Sequence, residues 1–122
     1  MYKDATIPEI DTALQQAWKA FHIYRQCTLK QRAGFMRAIA KEIERLGDEL
    51  LNVTGEETNL PEARLRNERA RTIYQLTSYA DACEKGDWLE VRIDTALPEK
   101  APPKPDIRKL LVPLGPVIVF GA

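Results

Sequence analysis

The chain has 122 residues, with 18 Lys and Arg, 18 Asp and Glu, one His and a formal net charge of +0. That length suits one domain and not two, since domains run about 100–200 residues, and it is enough to bury a real core. A hydrophobic fraction of 44% beside 30% charged residues excludes disorder. The balanced charge argues against a dedicated nucleic-acid or anionic-membrane surface. No apolar run approaches the ~20 residues of a membrane span, and residues 1–10 carry two acids and no apolar stretch, so they read as no signal peptide.

Residues 1–86 read as helical. A first helix is expected over about 7–26. Thr6 and Glu9 stand three apart as in a capping box, and Pro8 suits a first turn. Ile10, Ala13, Leu14, Ala17, Trp18 and Phe21 then recur at helical spacing and make one face apolar. A second helix is expected over about 28–55, opened by the Thr28 and Gln31 pair and carried by a stripe from Leu29 to Leu50. Gly47 interrupts that pattern, and Gly55 is the expected end. A third helix is expected over about 60–85, with Asn59 as its cap and Gly86 as its stop.

After Gly86 the period changes from 3.6 to 2. Residues 88–94 alternate as a half-buried strand does. Four of the eight prolines fall within 98–105 and predict a stiff, extended connection. A second strand is expected over 107–112 and a third over 116–120. The third is apolar on both faces, like a central strand of a parallel sheet. It runs into Gly121-Ala122, as at a strand-to-helix turn where α/β sheets bind ligands. The expectation is an N-terminal piece of a longer α/β protein with an unfinished sheet.

The chemistry-bearing residues are few. Cys27 and Cys83 form neither a CxxC pair nor a disulfide framework, and they read as packing residues of a reducing, cytoplasmic compartment. His22 has no second His to share a metal or a catalytic pair with, so no metal site is expected. Glu56-Glu57 and Asp48-Glu49 are adjacent, and adjacent helical residues do not face each other, so they read as solvated. The arginines of 64–71 could bind an anionic partner. Glu62 and Glu68 among them favour a salt-bridged helix surface. Trp18 and Trp88 read as core or interface residues.

A series of short matches, in order along the chain, resembles one family. It begins with AWKAFHIYR at 17–25 and RAGFMRAIAKEIE at 32–44. It continues with Glu57-Thr58-Asn59-Leu60-Pro61, Ala63-Arg64-Leu65, Glu68, Arg71-Thr72 and Gln75-Leu76. It ends with Gly86-Asp87-Trp88, Pro105-Asp106-Ile107-Arg108, Pro113-Leu114-Gly115-Pro116-Val117 and Val119-Phe120-Gly121-Ala122. Together these resemble the N-terminal quarter of an aldehyde dehydrogenase. Within the superfamily they are most similar to the α-ketoglutaric semialdehyde (2,5-dioxovalerate) dehydrogenase branch, which usually has Gly at the position of Asn67 and Arg at that of Thr77.

The resemblance implies a three-layer α/β enzyme that oxidises a semialdehyde, here α-ketoglutaric semialdehyde, to 2-oxoglutarate with NADP or NAD. It implies a Cys nucleophile, a Glu base and an oxyanion-binding Asn that all lie beyond this chain, so no catalytic residue is expected within it. Residues 1–122 would be the N-terminal part of a cofactor-binding domain, inactive alone. Phe120, Gly121 and Ala122 would border the cofactor through backbone and packing, and strands 88–94 and 107–112 would belong to an oligomerisation sheet joining copies of the chain. The other reading of the same residues is a free-standing helical interaction module with a β-hairpin tail and no catalysis.

Overall fold

The structure is a computed structural model that describes residues 3–120. Helix α1 spans Ile7–Tyr24. Its start is the expected one: the Glu9 carboxylate accepts from the Thr6 backbone N–H at 2.8 Å and from its hydroxyl at 2.7 Å. The Thr6 N–H, and then its hydroxyl, hold the Glu9 carboxyl below its ordinary value. Helix α2, Leu29–Arg45, opens with the reciprocal pair. Thr28 N–H donates to Gln31 Oε1 at 2.8 Å, and Gln31 N–H donates back to Thr28 Oγ1 at 3.2 Å.

The expected second helix, 28–55, is two helices. Helix α3, Gly47–Thr58, follows α2 after the single residue Leu46. The break falls where Gly47 takes φ +56, a conformation that costs a Cβ-bearing residue energy and glycine almost none. Gly55 does not end this helix. It lies inside α3, where a Cβ would stand 3.5 Å from Leu65 Cδ1, so its bare backbone lets Leu65 pack over it. The terminator is Asn59, left-handed at φ 55, whose N–H donates to Gly55 O at 2.8 Å. Asn59 therefore closes α3 and does not cap the next helix.

Helix α4, Glu62–Lys85, begins after Pro61 and stops at Gly86, φ +78, as expected. It runs antiparallel to α2 and receives α3 at its other end. The buried side chains are Ala33 and Ala40 on α2, Leu51 on α3, and Leu65 and Ala80 on α4. Three of these five are alanine, so α2 and α4 meet through small residues that let the backbones approach. Helix α1 buries no residue. It touches α2 through the Tyr24 and Phe35 rings, edge-on at 5.9 Å, and through Arg32 Nη2, which donates to Arg25 O at 2.8 Å.

Only part of the expected 88–94 strand forms. Asp87–Leu89 is a turn of 3₁₀ helix, and Glu90 at φ 48 interrupts the extended backbone. Strand β1 is Arg92–Asp94 and strand β2 is Ile107–Lys109. They pair antiparallel, with Arg92 opposite Lys109, Ile93 opposite Arg108 and Asp94 opposite Ile107. The proline-rich stretch is the connection of this hairpin, narrowed by a bridge between Leu97 and Lys104. Residues 110–120 continue without helix or strand, so the expected 116–120 strand is absent. The physical reason is the ladder: a strand exists only where a neighbour accepts its hydrogen bonds, and the one sheet among the described residues holds only β1 and β2. Among the described residues the architecture is four α-helices with a small, open sheet.

Two glycines separate backbone strain from helix propensity. Gly47→Ala should destabilise by about 1–2 kcal/mol, because open space surrounds it and only the left-handed backbone resists. Gly34→Ala, inside α2 and equally unobstructed, should stabilise by about 0.5–1 kcal/mol. The check is the urea midpoint of helical circular dichroism. Shifts in the same direction would remove Gly47 as the cause of the break.

Candidate functional site

Of the three residues expected to border a cofactor, Phe120 lies within the described chain, while Gly121 and Ala122 lie outside the described residues. Phe120 is 89% exposed and Val119 85%. The approach to them is fixed at Gly115, whose φ of +135 turns the chain across α1. There the backbone passes so near Trp18 that a Cβ would stand 3.7 Å from its ring. An open groove follows, lined by Ala17, Ala20, Phe21 and Tyr24 of α1, Phe35 of α2, and Gly115, Pro116 and Val117. Alanines at 17 and 20 leave the space, and the rings supply its apolar walls. The described end of the chain is thus an exposed apolar segment beside an apolar groove. Such a surface can pack on another layer or on a flat ligand, and its lining is mostly apolar, with the Tyr24 hydroxyl as its one titratable side-chain group.

The other candidates resolve into structural roles. His22 stacks with its neighbours on α1, edge-on to Trp18 at 4.9 Å and tilted to Phe21 at 5.7 Å. Both cysteines are free thiols and half-buried. Cys27 Sγ points to Ile23 O at 3.9 Å, past the end of α1, and Cys83 Sγ points to Leu29 O at 3.8 Å from the last turn of α4. Cys27 thus faces a carbonyl in the last turn of α1, and Cys83 faces one in the first turn of α2. A thiolate nucleophile is stabilised by N–H donors or a cation, and a carbonyl oxygen supplies neither. Burial pushes the nearby Tyr24 hydroxyl up; the Cys83 thiol adds to that effect and the Arg32 guanidinium opposes it.

Two of the arginines of 64–71, Arg66 and Arg69, fasten the α3–α4 corner. Arg66 Nη1 lies 2.9 Å from Asp48 and its Nη2 2.6 Å from Glu62. Arg69 Nη1 donates to Gly47 O at 2.6 Å, so α4 takes up the carbonyl at the helix break. Arg66 holds the Asp48 carboxyl below its ordinary value, by hydrogen bonding first and charge second. The salt-bridged reading of this surface is the one realised, and Asp48 is part of it. At the far end, Arg37 bridges α2 to Asp81 at 2.6 Å and Glu84 at 2.7 Å of α4. These long-range pairs were not visible in the sequence, because nothing local marks Arg37 as the partner of residues 44 and 47 positions away.

No helix among the described residues is long and apolar enough to cross a membrane. The sequence matches the aldehyde dehydrogenase family over residues 1–122. It is 45% identical over 123 aligned residues to an α-ketoglutaric semialdehyde dehydrogenase of Acinetobacter baylyi, covering 100% of this chain and 23% of that protein. It is also 45% identical over 115 residues to α-ketoglutaric semialdehyde dehydrogenase 2 of Azospirillum brasilense, covering 93% of this chain and 22% of the relative. The chain thus spans less than a quarter of the length of these relatives. With the family match running through every residue, the chain belongs to the aldehyde dehydrogenase family.

Proposed function

We propose that residues 1–122 are the N-terminal part of an NAD(P)-dependent enzyme that oxidises α-ketoglutaric semialdehyde to 2-oxoglutarate, with no catalytic residue of its own. The observation that carries this reading is the 45% identity, over the whole chain, to a relative of that name. The free-standing interaction module is disfavoured by the same alignment, and by an α1 that buries nothing. A cytoplasmic location goes with this reading, in keeping with two cysteines left as thiols.

The chemistry assigned to the complete enzyme is covalent: a thiolate adds to the aldehyde, hydride leaves to the oxidised nicotinamide, and water releases the acid. None of those steps uses a side chain of 1–122. Helices α1 to α4 form part of a cofactor-binding domain and give its sheet a layer to rest on. Phe120, with Gly121 and Ala122, borders the cofactor through backbone and apolar contact. The exposed ring of Phe120 fits that packing role. Hairpin β1–β2 contributes to an interface between copies of the enzyme. Every residue of β1 and β2 is exposed, so the hairpin lacks cover on its faces.

The full-length protein supplied with α-ketoglutaric semialdehyde and NAD+ or NADP+ should accumulate NAD(P)H, seen by its near-ultraviolet absorbance, while residues 1–122 alone should not. No signal from the full-length protein with this or any other aldehyde would sink the assignment. The double variant Cys27→Ala, Cys83→Ala should keep kcat within about twofold, since loss of a true nucleophile costs many orders of magnitude. A collapse of kcat with the melting temperature unchanged would place the chemistry inside this chain.

Phe120→Asp in the full-length enzyme should raise KM for the dinucleotide about tenfold, some 1.4 kcal/mol of lost binding, whereas Phe120→Leu should stay near the parent value. An unchanged KM for both, in folded protein, would separate residue 120 from the cofactor. Ile93→Asp should shift the full-length assembly to smaller species in light scattering. A mass identical to the parent would take the β1–β2 sheet out of the interface.

A further inference from the structure

We draw no further inference here: the strongest candidate, the exposed apolar groove between α1 and residues 115–117, belongs to the surface already described, and nothing in the structure shows what else would cover it.

Discussion

The structure depends on the contact that α4 makes with α2 and α3. The buried side chains on these helices are small or aliphatic: Ala33, Ala40 and Ala80 where α2 crosses α4, and Leu51 and Leu65 where α3 does. Burying a leucine is worth roughly 1.5–3 kcal/mol and an alanine much less, so the α2–α4 seam draws its apolar energy from the half-buried Leu29, Met36, Ile39, Ile43, Ile73 and Leu76 beside its alanines, and the α3–α4 corner from Leu51 and Leu65. The charged pairs divide the labour differently. Arg37, Asp81 and Glu84 are substantially exposed, and exposed pairs add little to stability. Their value is register: one guanidinium spanning two carboxylates one turn apart admits a single axial position of α2 along α4.

The same logic explains why α2 and α3 are two helices. A straight helix through 28–58 would run past α4. Gly47 supplies the left-handed step that redirects the chain, and Arg69 takes the carbonyl left over at that step. Leu51 is then delivered to the corner where Leu65 lies against Gly55. Glycine at 47 removes the cost of the turn, arginine at 69 satisfies its polar remainder, and leucine burial makes the turned state the favoured one. Remove any of the three and the other two lose their purpose.

What could be read directly from the residues follows from the range of each interaction. Capping at Thr6 and Thr28 and termination at Gly86 act within one turn, and the structure realises them as the sequence predicts. Gly47 was legible as an interruption of the apolar stripe from Leu29 to Leu50 but not as a break between two helices, because the periodicity of a stripe does not record where its axis turns. Asn59 was legible as a helix boundary but not as which one: its side chain suits an N-cap, while its tolerance of positive φ suits the end of α3, and the backbone chose the latter. Strand alternation at 88–94 was real, yet Glu90 in the left-handed region cut it to three residues. Family membership was legible because it is spread over many short matches, whereas the roles of Phe120, Gly121 and Ala122 rest on partners outside the chain.

The apolar surface gives the remaining constraint. Ile10, Leu14 and Trp18 recur along α1 at helical spacing and remain exposed, and the apolar run at 117–120 is exposed as well. Gly115 over Trp18 brings the two features together, so they form one surface and not two scattered patches. Isolated exposed leucines need no explanation, but an apolar stripe joined to an apolar exposed segment marks an interaction face. A β-branched run such as Val117-Ile118-Val119 favours extended backbone, and it gains a ladder only beside another strand. The physical demand of this face is therefore for a sheet neighbour along 117–120 and a layer over α1. Under the proposed function the rest of a cofactor-binding domain would meet that demand, which ties the proposed place of Phe120 to the packing of the helices behind it.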